Sequence, residues 1–341
     1  MSTTIQDVAE AAEVSPATVS LVLHQKGSLR EETRRRVWST IERLNYEPRR
    51  RTRISGRSAA GASRGVALVC PDSPGSSHRR SESRLYRQWL LGARRGFEQS
   101  GRGITVSSGS SRFDDDPFLA EALSGGDLEG VVLMGLREGD GYLDAVREAG
   151  VPAVVLNRRP DAERFSYVGV DNYGAGRKAA RRLIQLEHRR LAVLTSDQGE
   201  RLAKDRASGL VDAAGEAGLP SPLIASARFN DNDAVFDRVL ARLRRGRRTG
   251  VFAFNDTMAV RLLAACERHG VAVPREMAVI GFDDAEVTSP GGLRPTSMAI
   301  DTLAMGHAAA TMLVRLIEAT PRRAFLAETF EADIVEHDTT A

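Results

Sequence analysis

The chain has 341 residues, 27 % of them Asp, Glu, Lys or Arg, a formal net charge of +3 and two cysteines. That length implies two or three domains, and Cys70 and Cys266, far apart and without a CxxC or clustered histidines, argue against a disulfide framework or a structural zinc and fit a reducing cytoplasm. The polar N-terminus and the absence of any run near the ~20 apolar residues of a membrane span lead to the expectation of a soluble, cytoplasmic protein with no membrane partner.

Residues 4–24, TIQDVAEAAEVSPATVSLVLH, read as two short helices joined by a tight turn. Thr4 is the expected N-cap of the first, with Asp7 three residues on, and Ile5, Val8, Ala9 and Ala12 form its apolar stripe. Glu13 and Val14 make the bend. Ser15 followed by Pro16 is a second start signal, because serine accepts from exposed N–H groups and proline lacks the one that a first-turn residue leaves unpaired. Val19, Val22 and Leu23 then face the first helix, leaving Ala17, Thr18, Ser20, Leu21 and His24 outward. A third helix opens near Ser28 or Arg30, places Val37, Ile41 and Leu44 at helical spacing, and ends at Asn45, Tyr46 and Pro48. A small three-helix unit of this kind presents its second helix to the DNA major groove. The charge agrees: residues 1–64 hold 12 Lys/Arg against 7 Asp/Glu, and the remainder 36 against 38. A basic head on a near-neutral body is the footprint of a nucleic-acid reader joined to a module that does not touch nucleic acid.

Residues 49–64, RRRTRISGRSAAGASR, carry six arginines and one large apolar residue, Ile54. No packed core is expected there, so the stretch is a linker, either a plain flexible tether or a hinge that orders only against phosphates, whose charge Arg49, Arg50, Arg51 and Arg53 would neutralise. Three regions follow: a head at 1–48, the linker at 49–64, and a body at 65–341.

From Gly65 short β-branched runs alternate with longer amphipathic stretches. VALVC, ITVSS, GVVLM, AVVL, YVGV, LAVLT, VFAF and MAVIGF have strand length, with helices expected at 83–99, 140–149, 174–186, 205–217, 231–244, 258–269 and 303–317. This pattern predicts doubly wound parallel sheets, and the length allows two lobes with a ligand cleft between them. The polar residues at strand ends are Asp72 and Ser73, Asn157 and Arg158, Asp171 and Asn172, Ser196 and Asp197, Asn255 and Asp256, and Asp283 and Asp284. Each alone reads as a helix cap; their recurrence at corresponding ends favours a site for hydroxyls or a heterocycle edge.

The run 174–179, GAGRKA, follows a strand and opens a helix, with Asp197 near the next strand end, as in a dinucleotide site. Asp171, Asn172 and Tyr173 intervene where the glycine turn should begin, which weighs against that reading. There is no GxSxG, no GxxxxGK(S/T) and no metal-spaced histidine pair. No catalytic residue, metal or cofactor is expected.

The head resembles the lactose-repressor/galactose-repressor family of bacterial transcription regulators. The resemblance rests on Thr4, Ile5, Asp7, Val8 and Ala9, on Val14 and Ser15, on Thr18, Val19 and Ser20, on Thr33, Arg34 and Val37, and on Leu44–Pro48. In the body it is carried by VGVDNYGAG, DRASGL, FAFNDTMA and VIGFDD in the family's order, so that it covers about residues 3–337. It implies an all-α helix-turn-helix head on a two-lobed, periplasmic-binding-protein-like α/β body. Function is then that of a DNA-binding regulator, a repressor, acting as a homodimer on a near-palindromic operator and controlled by a small molecule between the lobes. A sugar is the first expectation and a purine or nucleoside the alternative; the competing class is a ligand-binding enzyme with an incidental basic head.

By position, the resemblance makes Arg206 the ligand-clamping arginine, with Asn255 and Asp283 as second-lobe contacts, Asp72, Ser73 and Asn157 as first-lobe contacts, Tyr86 near an aromatic position and Phe229 as a stacking face. DNA contacts fall to Thr4, Ser15, Pro16, Ala17, Thr18, Ser20, Leu21, His24, Thr33, Arg34, Arg50, Ile54 and Ser55. The chain departs from the family at Leu21, where arginine is frequent, at His24, usually asparagine, and at Ser55, where a leucine wedges into the minor groove; Ile54 is the expected substitute. Pro16 and Ala17 offer no bidentate pair to a base edge, so readout leans on thymine methyls, on Thr18, Ser20 and His24, and on DNA shape. The loop 71–84 is longer and more basic than usual. Helices 83–99 and 258–269 are the expected dimer surfaces, and without a leucine heptad tail a dimer is favoured over a tetramer.

Overall fold

A computed structural model describes residues 5–15, 18–19, 22, 31–43, 51–54, 65–71, 84–107, 112–136, 139–158, 165–196, 201–228, 231–244, 249–319 and 325–340. The chain divides into two compact units, Met1–Arg51 and Thr52–Ala341.

In the head, α1 (Ile5–Ala11) ends where Glu13 takes a left-handed φ of 52° and the Val14 N–H turns back onto the Ala9 carbonyl at 2.9 Å. Ser15 begins the next helical stretch: its Oγ accepts from the Thr18 N–H at 3.1 Å and lies 2.9 Å from Thr18 Oγ1. The Val19 N–H then reaches the Ser15 carbonyl at 3.1 Å. These caps replace amide partners that a helix start otherwise leaves to water. Val8, Ala9, Ala12, Val19 and Val22 close on Val37 of α2 (Glu31–Arg43), with Val14 against the cluster. Val8, Ala9 and Ala12 of the stripe that the spacing defines thus lie in the head's core. Thr4, Pro16, Ala17, Ser20, Leu21, Leu23 and His24 lie outside the described residues.

The body contains two sheets. The seven-stranded sheet has the order β1-β3-β2-β4-β5-β6-β12, formed by β1 (Arg51–Ile54), β2 (Gly65–Val69), β3 (Ile104–Ser107), β4 (Leu128–Met134), β5 (Ala153–Leu156), β6 (Ser166–Val170) and β12 (Ala327–Phe330). The six-stranded sheet has the order β13-β11-β10-β9-β7-β8, formed by β7 (Arg190–Ser196), β8 (Leu223–Ala227), β9 (Thr249–Ala253), β10 (Met277–Phe282), β11 (Thr296–Ala299) and β13 (Asp333–Val335). The registered pairs are parallel except β11 with β13. Central strands such as β4 and β10 are buried nearly throughout, which is why they read as continuous apolar runs.

Each sheet carries cores on both faces. In the first lobe α3 (Arg84–Phe97) packs on α10 (Thr302–Glu318) so closely that a Cβ at Gly92 would strike the Leu303 carbonyl, and one at Gly306 the carbonyl of Trp89. The other face of that sheet holds α4 (Pro117–Ser124) and α5 (Tyr142–Glu148), through Leu119, Tyr142 and Val146. The second lobe carries α6 (Asn172–Gln185) and α7 (Arg201–Glu216) on one face, and α8 (Asp233–Leu243) and α9 (Asp256–Arg268) on the other. The chain passes between lobes after β6, after β11 and after β12.

The eight runs chosen as strands all lie on strands, and the seven expected helices are present with shifted ends. The linker differs from expectation: residues 51–54 form β1 at the sheet edge, where a stretch without packed structure was predicted. Helix α4 and strands β8, β11, β12 and β13 were not anticipated.

Candidate functional site

Beside the crossover after β6 lies Arg206, reached from Val170 through Asn172. It projects from α7 and is 5 % exposed. Its position depends on a helix contact without side chains. A Cβ at Gly176 of α6 would overlap the Arg206 carbonyl, and one at Gly209 of α7 would overlap the carbonyl of Tyr173. The two helices therefore touch backbone to backbone, bringing the start of α6 beside Arg206.

Among the described residues, Phe282, Phe254 and Asn172 hold the guanidinium. Its central carbon lies 3.4 Å from the centroid of the Phe282 ring and 5.2 Å from that of Phe254. Arg206 Nη1 donates to the Phe254 carbonyl at 2.5 Å, and Nε donates to Asn172 Oδ1 at 2.8 Å. Desolvated cation–π contacts and charged hydrogen bonds are each stronger than their exposed, neutral counterparts.

Asp283 follows Phe282 with a left-handed φ of 94°, and Asp284 follows with 43°. Two successive non-glycine residues in that region need external support. Asp256 supplies it: Oδ1 accepts from Ser297 Oγ at 2.7 Å, and Oδ2 from the Ala285 N–H at 2.6 Å. Ser297 Oγ accepts in turn from the Asp284 N–H at 3.0 Å, and the Asp283 N–H is held by the Met298 carbonyl at 3.0 Å. Asp284 Oδ1 meets Arg294 Nη2 at 2.9 Å and His337 Nε2 at 3.1 Å. Burial pushes the Asp256 carboxyl up to about 7, with the nearby Asp283 and Asp284 charges adding to the rise against its hydrogen bonds. Burial also raises the Asp283 carboxyl, and the Arg206 charge opposes that rise.

Arg206 and Asp283 are thus brought together, with Phe254, Phe282, Asn172 and Asp256 around them. Asn255 is adjacent to Phe254, and its Oδ1 caps α9 by accepting from the Met258 N–H at 3.1 Å. Asn157 turns the chain after β5 with φ 64°, its N–H on the Val168 carbonyl at 2.8 Å. Tyr86 is buried in the first lobe, edge-on to Trp89 with ring centroids 5.0 Å apart. Asp72, Ser73 and Phe229, and with them the basic loop 72–83, lie outside the described residues. In the head, Thr33 and Arg34 are half-buried on α2, and Ile54 lies in β1; Arg50 and Ser55 lie outside the described residues.

The glycine run at 174–179 serves packing. Asp171 Oδ1 caps α6 through the Gly174 N–H at 2.7 Å, a Cβ at Gly174 would collide with that carboxylate, and Gly176 makes the contact with α7. Phe254 and Phe282 are not legible as site residues, since each reads as the end of an apolar strand, and Asp256 reads only as one of the paired polar strand ends. The available signal is an aromatic residue placed directly before a polar strand end, which both FAFND and IGFDD show.

Residues 4–49 match the model for bacterial regulatory proteins of the lacI family, and residues 180–340 that for a periplasmic binding protein-like domain. The chain is 30 % identical to the HTH-type transcriptional regulator CelR of Thermobifida fusca over 91 % of each chain. It is 25 % identical to the HTH-type transcriptional repressor PurR of Actinobacillus pleuropneumoniae, over 82 % of this chain and 81 % of that one. Among solved structures it resembles a CelR–cellobiose complex at TM-score 0.71 and 28 % identity, with 99 % of both chains covered. A lac repressor dimer bound to operator and the anti-inducer ONPF has the same fold at TM-score 0.68 and 21 % identity, covering 100 % of this chain and 99 % of that one.

Proposed function

Because the chain belongs to the lacI family of bacterial regulatory proteins, we propose that it is a cytoplasmic, homodimeric repressor that releases or grips a near-palindromic operator when a sugar binds between its lobes. The observation that carries the ligand half of this reading is Arg206, a buried guanidinium gripped on its face and at two nitrogens beside Asp283. A fixed donor next to a carboxylate suits a polyhydroxylated ligand, since hydroxyls both accept and donate. The CelR–cellobiose complex supports a sugar over a purine. Asn157 and the Nδ2 of Asn255 are the further polar contacts in this reading, with Asp72, Ser73, Tyr86 and Phe229 completing the cleft.

The head supplies the DNA half: the capped stretch from Ser15 through Thr18 enters the major groove, and Pro16, Ala17, Ser20, Leu21 and His24 meet bases. Thr4, Thr33, Arg34 and Arg50 contact phosphates, and Ile54 with Ser55 approaches the minor groove. The ligand acts by preferring one lobe arrangement, and a coupling of ~1–3 kcal/mol changes operator affinity by roughly 5–150-fold.

Thermal melting of the full chain against cellobiose, monosaccharides, sugar phosphates, nucleosides and purines tests the reading. A ligand at about 100 times its dissociation constant stabilises by about 2.7 kcal/mol. A sugar is expected to raise the melting temperature, and Arg206→Ala to remove the shift. A hit confined to purines overturns the sugar; a shift that survives in Arg206→Ala overturns the clamp.

A further inference from the structure

We propose that Asn172 is the positioning residue of the Arg206 clamp, setting the roll of the guanidinium and fastening it to the crossover between the lobes. The inference rests on the reading of Arg206 as the ligand-binding cation.

The Asn172 amide has one orientation open to it. Nδ2 donates to the Val170 carbonyl at 3.1 Å while Oδ1 accepts from Arg206 Nε at 2.8 Å. Exchanging the two atoms would set a carbonyl against a carbonyl and a donor against a donor, so the pair of bonds specifies the rotamer. Polar groups at a strand end that face a cleft are candidates for direct ligand contact. Here the acceptor oxygen is committed to the guanidinium, and the residue acts through Arg206.

The restraints that the described residues place on Arg206 are not equivalent. Phe282 and the Phe254 carbonyl both belong to the second lobe, at the ends of β10 and β9. A flat ring fixes the plane of the guanidinium and leaves rotation within that plane. The Phe254 carbonyl pins one corner. The bond at Nε opposes rotation within that plane, and it comes from the first residue of α6, itself bonded to Val170, the last residue of β6 in the first lobe. Asn172 is therefore the restraint that links the clamp's orientation to the first crossover between the lobes. Gly176 and Gly209 permit the link, because α6 and α7 must touch for a short asparagine to reach Nε.

The test uses the arginine side-chain Nε–H signals of the full chain in 1H–15N TROSY spectra, with the Arg206 signal assigned by its loss in Arg206→Lys. Hydrogen exchange at Arg206 Nε should be slow in the parent and accelerate by about tenfold or more in Asn172→Ala, as loss of a hydrogen bond to a charged group implies. Asn172→Asp keeps the acceptor but sets its second oxygen against the Val170 carbonyl, so it should restore protection only in part. Unchanged exchange in Asn172→Ala overturns the proposal, and this arm needs no ligand. In the second arm, the sugar that raises the melting temperature in the screen is titrated into Asn172→Ala, Arg206→Lys and the double variant. Lysine has no Nε, so the double variant should bind as Arg206→Lys does; additive losses would make Asn172 an independent contact and overturn its positioning role. If no sugar binds, or Arg206→Lys binds like the parent, the reading of the clamp fails while the exchange arm still decides the role of Asn172.

Discussion

Asp256 shows how a residue that reads as a cap comes to govern a turn. It lies next to the capping Asn255, is 1 % exposed, and holds Ser297 and the Ala285 N–H so that Asp283 and Asp284 keep their left-handed conformations. Its carboxyl rises from the usual 3.8 to about 7 because burial disfavours the charge. The folded chain thus binds more protons at this group than the unfolded chain between about pH 4 and pH 7. The stability it contributes is present below the lower value and is lost as pH rises through the upper one. Asp256→Asn should flatten the fall in melting temperature between pH 5 and pH 8, measured by calorimetry at constant ionic strength. An equally steep fall in the variant would remove Asp256 from that profile. Sequence offered ND and DD as polar strand ends, and that much was legible. Which oxygen caps, which carboxylate is buried and which faces Arg206 depend on loops that return from β11 and β13, distant in the chain.

At the level of elements, the close crossing of α6 on α7 has a sharp requirement. Gly209→Ala would drive a methyl group into the Tyr173 carbonyl, and backbone cannot move aside as a side-chain tip can. Overpacking costs ~1–3 kcal/mol, and a rigid backbone neighbour puts this substitution toward the upper end. Urea denaturation should show that loss, together with weaker ligand binding, because separating the helices withdraws Asn172 from Arg206. By contrast Gly215, at the last turn of α7, faces open space, and Gly215→Ala should be neutral or slightly stabilising. The alternation that named eight strands succeeded because buried parallel strands such as GVVLM and MAVIGF are apolar on both faces. Two of the strands it passed over, LIASA of β8 and AETF of β12, are partly exposed edge strands whose composition resembles a loop, and a third, TSMA of β11, is buried but half polar. The glycines in GAGRKA were visible as a pattern, but a pattern of small residues does not distinguish a phosphate from a neighbouring helix.

On the scale of the whole molecule, charge and chain path lead to separate consequences. The basic residues concentrated in 1–64 predict that binding to a random-sequence duplex is electrostatic. Titrations of the full chain from 50 to 200 mM salt should weaken binding steeply, and Arg50→Ala should lower the slope by about one per head. A salt-independent isotherm would contradict the division between a DNA-reading head and a body that does not touch DNA. The path through the body matters in another way. The first lobe draws its strands from 51–54, from 65–170 and then from 327–330, and the helix that closes on Trp89 and Gly92 is α10 at 302–318. Nearly the whole second lobe is inserted between those parts. During synthesis, the earlier half of the first lobe therefore waits with the α3 face uncovered until the ribosome has made about residue 330. The second lobe is continuous from α6 to β11 but takes its edge strand β13 from 333–335, so neither lobe's sheet is complete until residues 327–335 have been made, and the two lobes are closed by one and the same stretch of chain.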